Sequence, residues 1–285
     1  MRNFTNLLTL LAIGTALPAS AREEGSTAIS IGVGDAVRSS AVGTTAVFFN
    51  PAGLHQFMQY TVATGYEFVH SLDGHVFSVA AADSSSNQAL AMGVAYSYLT
   101  GHELGTDITR KGHLLRGAVA SGYAGDGWAF HVGAGVRWLD LFIGDDGESS
   151  EVTMDVGGLL VLKDLFRLAV VGQNLIETKL QEAPRGIGIG ASVLFENLLA
   201  SFDTVLDFDT LDHTEAQYHV GLEYALGGRL PVRVGYQLDQ VTERQSVSAG
   251  IGYVSQLMAL DFGFQQDVED KNDNTFSFNV RIFVP

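Results

Sequence analysis

The sequence predicts an all-β protein: a 14-stranded antiparallel transmembrane β-barrel with an N-terminal hatch (plug) segment. Three observations predict it. From Thr61 to Pro285 the chain is a series of about fourteen short stretches in which apolar and polar residues alternate, the period of two that marks strands. No apolar run there is long enough for a membrane helix. The links between stretches are alternately tight and long, as when hairpins turn tightly on one side of a membrane and loop on the other. In lipid every backbone N–H and C=O must be paired internally, so such strands cross only as a closed barrel.

The amino terminus gives the destination. Met1 and Arg2 precede the apolar Leu7 to Leu17 and then Pro18-Ala19-Ser20-Ala21, so residues 1–21 read as a cleaved secretory signal peptide. The apolar run is too short for a retained anchor, and the expected location is the outer membrane of a diderm bacterium.

Residues 22–60 precede the first good strand and form the expected hatch. Ser26 to Val37 are small and Gly-rich, and Asn50 is placed to cap a helix that opens at Pro51, where the missing N–H costs nothing. Residues 61–285 form the barrel. Strands are expected near 61–70, 74–82, 88–99, 112–123, 127–139, 151–161, 165–174, 185–195, 198–208, 214–225, 229–239, 245–254, 257–266 and 274–284. The clearest runs from Trp128 to Trp138, with Phe130, Val132, Ala134 and Val136 on the face shared by the two indoles. Its span of about 36 Å crosses a bilayer at the usual tilt, with an aromatic residue at each rim.

Tight links follow even-numbered strands, as at Gly125-Asp126-Gly127, Lys163-Asp164 and Gly227-Gly228; longer ones follow most odd strands, as at Gly101 to Lys111, Asp140 to Ser150 and Asp267 to Asp273. Both termini are therefore expected in the periplasm. The acidic stretches 145–151 and 267–273 read as solvated external loops; Ca²⁺ is the alternative occupant, although neither has EF-hand spacing.

Extending the inner face strand by strand gives a lumen lined by Glu67, Arg116, His131, Arg137, Asp155, Arg167, Asp203, Asp207, Glu215, His219, Glu223, Arg233, Asp239, Asp261 and Arg281. A charge on the lipid face costs on the order of 2–4 kcal/mol at mid-depth for a basic residue, so these belong inside. They serve either as paired ladders that brace the wall or as a polar pathway in which Arg137, Arg233 and Arg281 attract anions. Glycines on the same face, among them Gly133, Gly135, Gly186, Gly188, Gly190 and Gly235, either let a plug approach closely or bend the strands.

Other classes are excluded on chemistry. The chain without residues 1–21 has 15 Lys+Arg against 32 Asp+Glu, a balance that repels nucleic acid. There is no cysteine. No G-x-S-x-G elbow, zinc helix, P-loop or dinucleotide fingerprint occurs, so neither an enzyme nor a cofactor is expected.

Gly34-Asp35-Ala36 and Phe49-Asn50-Pro51-Ala52-Gly53-Leu54 resemble the hatch of the FadL superfamily of outer-membrane transporters and of the related PorV/PorQ barrels. The similarity continues at Val171 to Leu175, Gly221 to Tyr224, Pro231 to Tyr236 and Ser248 to Tyr253. The resemblance implies a hatch motif at Asn50, Pro51, Ala52 and Gly53, and outer-membrane lipid as a partner. It also implies FadL-like passive transport of a small hydrophobic ligand, or alternatively a PorV-like scaffold that holds a secreted protein. A transporter needs an apolar pocket between hatch and wall and a break in strand pairing; a scaffold has a filled lumen.

Overall fold

The computed structural model describes residues 26–102, 109–144, 147–178, 180, 183–211 and 213–284. The expected leader and the acidic pair Asp145-Asp146 lie outside the described residues. Fourteen antiparallel strands close a barrel: β1 Tyr60–Val69, β2 Gly74–Asp83, β3 Ala91–His102, β4 Thr109–Gly125, β5 Trp128–Ile143, β6 Gly147–Leu162, β7 Phe166–Gln173, β8 Gly186–Phe195, β9 Leu198–Asp207, β10 Glu215–Leu226, β11 Leu230–Asp239, β12 Arg244–Val254, β13 Met258–Asp267 and β14 Asn274–Val284. Each strand pairs with its neighbours in sequence. β1 meets β14 from Tyr60 opposite Val284 to Val69 opposite Thr275, which removes the free edges.

The expected strand count is the observed one, and several strand ends need correction. β4, β5 and β6 run 17, 16 and 16 residues: β4 begins at Thr109, inside the stretch 101–111 expected as a loop, and β5 and β6 take up 140–143 and 147–150 of the stretch 140–150. Their ladders continue past the apolar belt, with Arg110 opposite Ile143 and Ile143 opposite Gly147. β3 starts three residues late because Asp83 accepts hydrogen bonds from the N–H groups of Ser85 and Ser86 at 3.0 and 2.9 Å, an Asx turn that bends the chain away from the sheet.

The outer face is apolar between two aromatic levels. Tyr123, Trp128, Phe166, Phe195, Tyr224 and Tyr253 are exposed near the tight-turn ends. On the long-loop side, Tyr66 and Tyr96 place their hydroxyls 2.8 and 2.7 Å from Nδ1 of His75 and His113. The Trp138 indole donates to Ser150 at 2.9 Å, and the Tyr236 hydroxyl donates to Gln245 at 2.8 Å. Rings that bury an apolar body and hand a polar tip to the next strand are at home at a membrane interface.

Inside the barrel lies the amino-terminal segment. It comprises helix α1, Ala28–Gly32; helix α2, Gly43–Phe49; and a 3₁₀ turn, Pro51–His55. Thr27 caps α1: its Oγ1 accepts from Ser30 N at 3.1 Å, while Ser30 Oγ accepts from Thr27 N at 3.0 Å. The core is this segment against the wall: Val37, Val47, Phe48, Phe49 and Leu54 pack on small inner residues such as Ala80, Ala95, Ala118 and Ala120.

Glycine takes over where the segment's backbone comes closest. Gly133, Gly157, Gly190, Gly221, Gly235 and Gly263 each stand five residues in from the tight-turn end of their strand, and together they form a ring at one depth. A Cβ on Gly133 would lie 2.5 Å from Ala52 N, one on Gly221 2.6 Å from Val33 O, and one on Gly263 2.5 Å from Ala28 O. On Gly157 or Gly235 it would collide with the Asn50 side chain or the Gly34 backbone. Of the six glycines singled out in the sequence, Gly133, Gly188, Gly190 and Gly235 meet the segment closely. Gly135 touches it only at Pro51 Cγ, 3.4 Å away, and Gly186 faces its own sheet at Leu206.

Candidate functional site

The site begins with the lock between segment and wall. Asn50 is fully buried; its Oδ1 accepts from Ala52 N at 3.1 Å and its Nδ2 donates to Arg38 O at 2.8 Å. Pro51 fills the first position of the 3₁₀ turn, Ala52 is fully buried, and a Cβ on Gly53 would strike Ala41 O. Arg38 is the largest fully buried side chain among the described residues. Its N–H donates to Asp203 Oδ2 at 2.7 Å and its guanidinium lies 3.6 Å from the same oxygen. The Arg38 stem runs along Gly188 and Gly190. Arg38 was not among the sequence candidates, although it is the single Lys or Arg between Arg22 and Arg110.

All fifteen lumen candidates lie on the inner face. Several of them join residues of the segment, Glu67 through Ser26 among them: Arg116 stands 5.1 Å above the Phe48 ring, His131 Nδ1 lies 3.2 Å from His55 Nδ1, and His219 Nδ1 lies 2.9 Å from Gly34 O. Asp203 belongs with them through Arg38. Others pair along the wall. Arg137 meets Asp155 at 2.6 Å. Arg233 meets Glu223 at 2.5 Å and Asp261 at 2.8 Å, and Arg281 meets Asp261 at 2.8 Å. Arg137, Arg233 and Arg281 are thus charge-compensated rather than open to anions. Asp207 accepts from Asp209 N and Thr210 N at 2.9 Å, Asp239 from Val241 N at 2.9 Å, and Glu215 contacts His213 at 2.7 Å; these three shape loops on the long-loop side. Arg167 is buried on β7. Glu67 accepts a hydrogen bond from Ser26.

In the 267–273 loop a protein cation stands where Ca²⁺ was the alternative: Arg244 is 3.1 Å from Asp267 and also pairs with Asp273, while Asp267 Oδ1 accepts from Glu269 N and Asp270 N at 2.8 Å.

Two cavities flank the segment. One, of about 220 Å³, opens on the long-loop side. Val69, Leu72, Val76, Leu99 and Leu114 line one wall, and Gln217, Gln237, Asp239 and Gln265 the other. The second, of about 260 Å³, lies on the tight-turn side between Val33, Val37 and Val42 of the segment and Leu199, Pro231 and Val254 of the barrel. Helix α1 is the partition, with Ile31 facing the first cavity and Ile29 the second.

The wall has a gap between β6 and β7. β6 and β7 pair only from Val156 opposite Gly172 to Leu162 opposite Phe166, so Gly147–Asp155 has no strand neighbour on that side among the described residues. The β7–β8 connection covers the gap. Leu175 N donates to Met154 O at 2.8 Å and Thr153 Oγ1 donates to Ile176 O at 2.8 Å. Leu175 and Ile176 are about half exposed on the outside, whereas Leu180 and Ala183 pack inward on Leu99, Leu114, Leu139 and Leu141. The connection thus presents apolar side chains both to the leucine cluster, of which Leu99 and Leu114 line the cavity, and to the outer face. The connection is tied to the β9–β10 loop by Arg185, which donates to both carboxylate oxygens of Asp209 at 2.8 Å; this hydrogen bonding holds the Asp209 carboxyl below its usual range.

No protein-family model matches the chain. No curated protein sequence is significantly similar to it. Solved structures do match. The monoaromatic hydrocarbon channel CymD superposes with a TM-score of 0.65 at 14% identity, covering 91% of this chain and 96% of its own. The toluene transporter TbuX of Ralstonia pickettii gives 0.64 at 14% identity, covering 91% and 97%. The toluene transporter TodX of Pseudomonas putida gives 0.60 at 13% identity, covering 92% and 97%. The fold is that of these channels. A 14-stranded wall around an inner amino-terminal segment is thus established at the level of architecture, and chemistry must be argued from this chain's own residues.

Proposed function

We propose that the protein is an outer-membrane channel for passive, FadL-like uptake of small hydrophobic molecules, with residues 22–60 as its hatch and both termini in the periplasm. One observation carries the reading: the cluster of Leu99, Leu114, Leu139 and Leu141, which joins the 220 Å³ cavity to the connection that covers the gap between β6 and β7. A pocket against the hatch and a break in pairing are what a transporter of apolar compounds requires. The cavity's size favours one-ring ligands over long chains, since a dry cavity of about 150 Å³ accommodates benzene. The toluene and hydrocarbon channels of like fold support the same class of cargo, and the secretion-scaffold alternative draws no support from them. In this reading the chain is not an enzyme, and His131 and His219 fasten the hatch.

The cysteine-free sequence permits a clean test. Met154→Cys with Leu175→Cys joins β6 to the connection that covers the gap. With uptake of labelled toluene measured in cells with an intact lipopolysaccharide layer, the oxidised variant should lose most protein-dependent flux and recover it on reduction. Equal flux in both redox states, with the disulfide confirmed by mass spectrometry, rules out this exit.

A further inference from the structure

The first cavity has two unlike walls, and their placement follows from register. On the inner face Glu67 stands opposite Val76, Val76 opposite Leu99, Leu99 opposite Gly112 and Gly112 opposite Leu141. A carboxylate thus ends an otherwise apolar row across β1 to β5. Directly opposite neighbours in such a row have Cβ atoms about 4.5–5.5 Å apart, so a flat ring lying on Val76 and Leu99 is within reach of the Glu67 side chain. On its other side Glu67 faces Ser277, and the adjoining wall presents Gln217, Gln237 and Gln265.

The polar wall is largely self-satisfied. Gln217 donates to Asp239 and Gln265 to Gln237, at 2.7 and 2.8 Å. Arg244 is taken by Asp267 and Asp273. Glu67 differs: among the described residues its hydrogen bond comes from Ser26 alone, through Oε2. Oε1 remains at the boundary between the two walls. A hydrocarbon bound here leaves that carboxylate oxygen unsatisfied as it displaces water, whereas a ligand with an O–H or N–H group satisfies it. Arg110, Arg116 and Arg244 line other parts of the cavity, but an anionic substituent on a ring lying on Val76 and Leu99 stands against the Glu67 carboxylate and is repelled there.

Resting on the transport reading above, we infer that the preferred ligands are one-ring compounds bearing a hydrogen-bond-donating substituent, bound with the ring on Val76 and Leu99 and the donor on Glu67. Plain hydrocarbons then bind more weakly, and carboxylates are excluded. Charge-assisted hydrogen bonds are about twice as strong as neutral ones, so an ammonium binds more tightly than a hydroxyl.

The test is isothermal titration calorimetry of the full detergent-solubilised chain with benzylamine, benzyl alcohol, toluene and benzoate, which share a ring and differ in one substituent. The expected order is benzylamine, benzyl alcohol, toluene, benzoate, with benzylamine about tenfold tighter than toluene. Glu67→Gln keeps the side chain's shape and should bring the benzylamine-to-toluene ratio within about twofold of one; Glu67→Leu should invert it. Toluene binding at least as tightly as benzylamine to the wild type, or an unchanged ratio in both variants, overturns the inference and leaves hydrophobic transport standing. If none of the four compounds binds to a folded barrel, both readings fall.

Discussion

Replacing Gly133 by alanine separates a glycine that seats the inner segment from one that merely bends a strand. The added Cβ would lie 2.5 Å from both Ala52 N and Pro51 C. Those are backbone atoms, with no flexible side-chain end to swing aside, so relief requires the segment to shift. Overpacking of this kind costs about 1–3 kcal/mol. Because the barrel ladder remains intact, the cost falls on the docked state of the segment and raises its undocked population by about 5- to 150-fold. Gly117→Ala is the matched control: it lies on the neighbouring strand opposite Val136, and nothing stands within 4 Å of its added Cβ. Single-channel recording in planar bilayers reads the result as open-state events, frequent for Gly133→Ala and at wild-type frequency for Gly117→Ala. Equal event frequencies in the two variants, with both barrels folded, would refute the seating argument and leave strand bending as the role of the inner glycines.

Asn50→Ala should also loosen the segment, because it removes the acceptor for Ala52 N and the donor to Arg38 O; a lost cap and a buried unpaired carbonyl together cost about 1–3 kcal/mol. Asn50→Asp retains the acceptor alone and should fall between, with cleavage of residues 26–55 by an added protease as the readout; identical cleavage of all three proteins would sink the assignment. The Arg185–Asp209 tie gives a pH dependence. The Asp209 carboxyl is held below its usual value, so the tie stabilises fully above the ordinary carboxylate range near pH 4 and is lost as pH falls through the lower folded value. Hydrogen exchange of residues 183–185, corrected for intrinsic rate, should quicken on that descent, and Asp209→Asn should show no such step.

The fold was legible because lipid imposes a strict alternation. Trp128 to Trp138 sends every second residue outward, and the tight turns at Lys163-Asp164 and Gly227-Gly228 fall where positive φ is observed. Past the apolar belt that signal ends. Leu141-Phe142-Ile143 is a run without alternation and Gly147-Glu148-Ser149-Ser150 has no apolar residue, so the extensions of β5 and β6 read as loop. Helix α1 was invisible for another reason: its five residues, Ala-Ile-Ser-Ile-Gly, are too few for a helical period, and its capping box uses Ser30 in place of Glu or Gln. For the lumen charges the sequence revealed the face but not the partners, which depend on register. Arg137 stands opposite Thr153 and meets Asp155 on the diagonal, whereas Arg233 stands opposite Glu223 and reaches Asp261 two strands away across the space left by Gly250. The wall gap was equally hidden, because it arises from the mismatch of a 16-residue β6 with an eight-residue β7.

The ring of glycines at one depth bears on how the molecule is assembled. A wall with six glycines on its inner face at that level has little there to fill its own centre, and voids inside proteins are destabilising. The segment precedes β1 in the chain and touches strands on opposite sides, with Ala28 on Gly263 and Ala52 on Gly133. It therefore offers the strands a surface to curl around before β1 meets β14. A chain deprived of residues 26–55 should close late or at another diameter, and a side chain enlarged on either surface calls for a smaller one on the surface it faces.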